Sequence, residues 1–240
     1  MKKIGTLLLA LITASQVFSQ TDFSTIFEKT DGFMQKFVHK GLVDYKSIKA
    51  NESRLKMIRV LYANTDLHNA STSEKKAFWI NAYNFFLINQ IVKNFPLNSP
   101  LDIEGLFTNI KQKVAGELLT LENIEKQKLM AVYKDPRLHF VLVCGALGCP
   151  QLADFAYWPK QLDKQIEERT RKTLNSSYFI RVDSDNKNVL LSQIFKWYAS
   201  DFLDKSSSIV SFINQYRTNP IPSEYSLDYY EYDWSINIKK

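Results

Sequence analysis

The stretch from Ser71 to Asn94 limits the fold more than any other part of this 240-residue chain. Ser71-Thr72-Ser73-Glu74 sets a serine three residues before a glutamate, the pattern of a capping box, and Phe95-Pro96 ends the helix that it starts. Between those ends Phe78, Trp79, Ile80, Tyr83, Phe86, Ile91 and their neighbours surround the helix axis instead of forming one stripe. A helix apolar on nearly every side has to be wrapped by the rest of the chain. Asn81, Asn84, Asn89 and Gln90 interrupt it, so it is not a membrane span, and amides carried into a core need hydrogen-bond partners.

The wrapping segments read mainly as helices. Apolar residues recur at three- and four-residue steps from Phe23 to Phe37, with Gly32 as a potential break, and again through Ile48, Leu55, Ile58 and Leu61. Lys113 to Leu119, with Gly116, suits a short strand pair, and Thr120 caps a helix over 121–133 that Asp135-Pro136 ends. The run Leu138 to Val143 is β-branched and aromatic, bounded by Pro136 and Gly145, and reads as a buried central strand. A helix over 159–174, a hairpin over 178–191 and a helix capped by Ser192 follow, before an aromatic tail packed in extended form. The expected fold is α+β: a mostly helical single domain packed around a small central β-sheet, with a buried helix. No linker, repeat or low-complexity tract divides it.

Met1-Lys2-Lys3 followed by an apolar run from Ile4 to Ala14 is too short to span a bilayer and reads as a signal peptide over residues 1–19, cut after Ser19. The expected mature domain is 20–240, exported to the periplasm or secreted, with no transmembrane segment after cleavage. No cysteine sits at the cut to carry a lipid. Loss of Lys2 and Lys3 lowers the formal charge from +6 to +4, and the remaining charges are scattered, which argues against a nucleic-acid partner.

The loop Cys144-Gly145-Ala146-Leu147-Gly148-Cys149-Pro150 follows the expected strand, where ligand sites often lie, and its glycines let backbone come close to a ligand. In an oxidising compartment the only two cysteines, Cys144 and Cys149, read first as a disulfide. The alternative is a reactive thiol at Cys144, or at Cys149, with His139 as base and Asn81 or Asn84 as an orienting group. On a regular strand His139 and Cys144 would face opposite sides. Trp79, Tyr83, Gly145, Trp197 and Asp201 are the candidate ligand-binding residues, although Trp197, Asp201 and the tail segment Tyr232-Asp233-Trp234 are of types that more often serve core packing and capping than a binding wall. The cysteine and histidine spacing does not suit zinc, and no phosphate loop, dinucleotide fingerprint or serine elbow is present, so no cofactor or metal is expected.

Three segments, Gly41-Leu42-Val43-Asp44-Tyr45, Lys76 to Asn84, and His139 to Ala146 with Cys149-Pro150, together resemble the domain of unknown function 547 family. The similarity runs on through Ile194 to Tyr198 and Tyr232-Asp233-Trp234. Family members occur as exported bacterial proteins and as the C-terminal part of plant proteins, and the resemblance implies no particular reaction. In plant members the position matching Cys149 is often serine, which weakens a disulfide as a family-wide device. Two functions follow as expectations. The first is a non-catalytic envelope or extracellular module that binds a peptide, glycan or protein partner. The alternative is a thiol-dependent hydrolase or transferase acting on amide or ester bonds.

Overall fold

The computed structural model describes residues 23–239, so the expected leader, its cut after Ser19 and the start of the domain at Gln20 lie outside the described residues. Helix α1 spans Phe23–Phe37 and is not broken at Gly32. Strands β1 (Val38–His39) and β2 (Leu42–Val43) form a hairpin around Lys40-Gly41, and α2 (Tyr45–Ala50), α3 (Ser53–Asn64) and α4 (Thr72–Asn94) follow.

Helix α4 is the buried helix that the apolar pattern predicts. Ser71 Oγ accepts from the Glu74 N–H while the Ser71 N–H donates to Glu74 Oε2 at 2.8 Å, which completes the capping box. Every residue from Ala77 to Val92 is buried, and α1, α2, α3 and the chain after Thr120 pack on it.

Strands β3 (Gln112–Val114) and β4 (Glu117–Leu119) pair antiparallel, as the sequence suggests. The expected helix after Thr120 is wider than an α-helix. Asn123–Met130 is π-helical and passes into α5 (Ala131–Tyr133), with Thr120 Oγ1 accepting from the Asn123 N–H. Helix α6 (Leu162–Leu174) and the hairpin β5 (Ile180–Asp183) with β6 (Asn188–Leu191) come next, then α7 (Ile194–Trp197), α8 (Ala199–Leu203) and α9 (Ile209–Asn214). Strand β7 (Ser226–Tyr229) joins β6 in parallel, giving a three-stranded sheet of order β5-β6-β7. The class is α+β and largely helical.

One expected element is absent. Leu138 to Val143 is not a strand: Pro136–Phe140 is a 3₁₀ turn capped by Asp135, and a loop runs on from Val141. The hydrophobic run is buried as a strand would be, but its backbone polar groups are satisfied differently. Asn84 Nδ2 donates to Val141 O at 2.8 Å, and Asn84 Oδ1 accepts from the Val143 N–H at 3.2 Å. A single amide of α4 therefore does for this segment what a neighbouring strand would otherwise do.

The tail acts as a strap. The Leu147 N–H donates to Ser235 O, the Gly148 N–H to Asp233 O, and the Asn237 N–H to Gly145 O, which ties residues 233–237 to the cysteine loop. Asn237 then reaches the first hairpin: its Oδ1 accepts from Tyr45 Oη at 2.7 Å and its Nδ2 donates to Gly41 O at 3.1 Å.

Candidate functional site

A cleft of about 400 Å³ opens where α4, the π-helix, the 3₁₀ turn, the cysteine loop, α7 and the tail meet. The 3₁₀ turn brings His139 to it, the loop brings Cys144 and Cys149, and α4 brings Tyr83. The strand-parity bar between His139 and Cys144 disappears because no strand forms there, and both residues line the same cleft.

His139 is buried at 4 % exposure, stacked on the Tyr198 ring with centroids 4.0 Å apart, and its Nε2 lies 2.8 Å from Asp201 Oδ2. An ionised Asp201 makes Nε2 the protonated nitrogen, which leaves Nδ1 of a neutral ring as an acceptor. Beside them the π-helix carries Glu125 into the cleft. Burial raises its carboxyl above the usual carboxylate range, against the opposing pull that His139 exerts when its ring is protonated and that of hydrogen bonds from Tyr198 and Tyr83. Desolvation and the Glu125 charge push both tyrosine hydroxyls above their ordinary range, so they remain protonated donors.

The two sulfurs lie at disulfide-bonding distance, with Cα atoms 6.3 Å apart. Cys149 Sγ accepts from the Cys144 N–H at 2.9 Å, and Tyr232 Oη lies 3.2 Å from one sulfur and 3.1 Å from the other. Tyr232 is also part of an aromatic wall. Trp197 and Trp234 stack at 5.9 Å, and each packs against Tyr232 at 4.9 and 4.8 Å. Trp197 is 48 % exposed at the mouth of the cleft.

The expected site residues thus divide into two groups. Tyr83, His139, Cys144, Cys149 and Trp197 line the cleft, and Asp201 reaches it through His139. Asn81, Asn84, Trp79 and Gly145 do not line it. Asn81 is spent on Tyr157, donating to its carbonyl and accepting from its N–H, both at 2.8 Å, just as Asn84 is spent on Val141 and Val143. Neither amide is left to orient a base or stabilise an oxyanion. Trp79 is buried edge-on to Phe78 with Lys128 Nζ above its ring. Gly145 has φ +81°, and a Cβ there would meet Ile91 Cδ1 at 2.6 Å, so its role is the close approach of the loop to α4.

Sequence reasoning missed Glu125 and favoured core packing over a binding wall for Tyr232 and Trp234, which line the cleft. Glu-Asn-Ile-Glu-Lys-Gln-Lys over 122–128 has the look of a solvated helix face, and the π-helical widening that turns Glu125 inward leaves no mark in hydrophobic spacing. The one available signal was the cluster of tail aromatics. Among the described residues no group of three or more His, Cys, Asp or Glu side chains is arranged to hold a metal, and no helix is long and apolar enough to cross a membrane.

No curated protein and no solved structure matches the chain significantly. Residues 67–174 match the model of a family described as protein of unknown function, DUF547. That segment holds α4, the π-helix, the 3₁₀ turn and the cysteine loop, the part of the fold that builds one side of the cleft. The chain thus carries, over residues 67–174, a segment of the DUF547 family that contains those elements.

Proposed function

We propose that this chain is an exported, non-catalytic binding module, periplasmic or secreted, whose cleft holds a peptide- or sugar-sized ligand against Trp197, Tyr232 and Trp234. The observation that carries this reading is the half-exposed Trp197 ring, packed against Tyr232 and Trp234 on a mainly apolar cleft into which His139, Glu125 and Tyr83 bring a few polar groups. A flat ring fixed in this way offers apolar area at little entropic cost, and buried donors and acceptors beneath it give orientation. Cys144 and Cys149 form a disulfide in this reading, as export would favour, so the cleft lacks a thiolate. Its charge comes from Glu125 and the His139–Asp201 pair.

The test is titration of intrinsic tryptophan fluorescence with neutral oligosaccharides and short peptides. One of these ligand classes saturates the signal, and Trp197→Ala weakens binding by about three- to tenfold, the scale of a stacked aromatic contact. Leu118→Ala, at an exposed position outside the cleft, leaves binding unchanged. Binding that is indifferent to Trp197→Ala refutes the reading, as does a flat titration with both ligand classes.

A thiol-dependent hydrolase or transferase is the second reading, favoured by one observation: His139 is oriented by Asp201 on the cleft that also contains Cys144. In that case an added reductant frees Cys144, Nδ1 of His139 takes the thiol proton, and the thiolate attacks an amide or ester carbonyl; the C–N or C–O bond breaks as the imidazolium returns the proton to the leaving amine or alcohol, and water or an acceptor nucleophile then takes the acyl group from the sulfur. Reductant-dependent turnover of a generic ester or amide substrate, lost in Cys144→Ala, would support it over the binding reading.

A further inference from the structure

A second cavity, of about 420 Å³, lies on the other side of the cysteine loop, between the first hairpin and α6. Its lining includes Arg169, which is only 7 % exposed. Arg169 Nη2 donates to Gln151 O, Nε has no partner, and no carboxylate pairs with the guanidinium among the described residues. Arg137 behaves quite differently, bonding Asp135, Asp163 and Glu167. A buried guanidinium with unused donors and no counter-charge is costly unless something satisfies it.

We propose that this cavity is a carboxylate-binding site, with Arg169 as the anchor for a small organic acid that has an apolar body. The guanidinium has a planar set of donors suited to a carboxylate, and Lys40 and Lys172 add positive charge at the rim. Asp233 also lines the cavity and is occupied in accepting from the Ser235 N–H. Its charge leaves the site better matched to a monoanion than to a dianion such as phosphate. Leu147 and Tyr178, 37 % and 49 % exposed, form an apolar ledge where the body of the acid rests. The site is separate from the aromatic cleft, and of the residues used here none lines both.

Calorimetric titration of the full chain with benzoate, hexanoate, their neutral amides and inorganic phosphate tests the assignment. The two acids bind saturably and more weakly as salt rises, and the amides bind at least about tenfold more weakly, as the loss of charge-assisted hydrogen bonds requires. Arg169→Gln brings the acids down to the level of the amides. Lys172→Glu, an exposed change, weakens the acids and spares the amides, and it carries the decision if Arg169→Gln fails to fold. Amides that bind as well as acids overturn the proposal. So do an absence of binding by both acids, unchanged acid binding in Arg169→Gln or, where that variant does not fold, in Lys172→Glu, and phosphate binding tighter than either acid.

Discussion

Replacing Asn84 with alanine should unfold this protein at markedly lower denaturant. The side chain is 2 % exposed and makes two hydrogen bonds to backbone, at 2.8 Å to Val141 O and 3.2 Å from the Val143 N–H. Alanine leaves one carbonyl and one N–H buried without a partner, at about 1–3 kcal/mol each, or roughly 2–6 kcal/mol together. With a urea slope of about 2.5 kcal/mol per molar for a domain of this size, the midpoint falls by roughly 1–2 M. Asn89 is an internal control on the same helix. It is fully buried, and neither its Oδ1 nor its Nδ2 has a partner, so Asn89→Ala abandons no backbone group. Urea unfolding followed by circular dichroism should therefore show Asn84→Ala as clearly the more damaging of the two. Equal midpoints for the two variants would refute the idea that Asn84 substitutes for a neighbouring strand.

Other expectations concern the buried charges and the loop. Glu125→Gln should stabilise the protein at neutral pH. Burial raises the folded-state pKa of Glu125, so its contribution is most favourable below the unfolded carboxylate value and is lost as pH rises through the folded value. The advantage of the glutamine variant, read from melting temperatures across pH, should shrink on acidification, and an advantage that grows in acid would contradict this. Asp135 has the opposite sign. Burial alone would raise its pKa, but hydrogen bonds and charge from Arg137 and Lys76 outweigh that and hold it low. Asp135→Asn should therefore destabilise at neutral pH, by about 3 kcal/mol for a broken, largely buried ion pair, with the difference fading as pH falls through the carboxylate range. Gly145→Ala should cost about 1–3 kcal/mol in chemical denaturation, because φ is +81° and the new Cβ would meet Ile91.

Where local pattern and burial agree, the fold was legible in the sequence. The capping box at Ser71, the encircling apolar residues of α4, the β3–β4 pair and the β5–β6 hairpin all follow from spacing and turn chemistry. Leu138 to Val143 misled because a β-branched buried run needs its backbone satisfied, and nothing local reveals that a side chain 57 residues away meets that need. The candidate site divides along the same line. His139, Cys144, Cys149 and Trp197 were visible as residue types, but Asp201 orients His139 across 62 positions and Glu125 enters on a widened helix. The motif Gly41 to Tyr45 also acquires a reason: Gly41 O and Tyr45 Oη hold Asn237, and with it the strap over the cysteine loop.

The state of the two sulfurs decides most directly between a binding cleft and a thiol enzyme. The measurement is mass spectrometry of the folded, unreduced protein after exposure to a small alkylating reagent, repeated after reduction. The binding account predicts no label before reduction and two labels, on Cys144 and Cys149, afterwards. A label on Cys144 in the unreduced folded protein would contradict it and return the cleft to thiol chemistry.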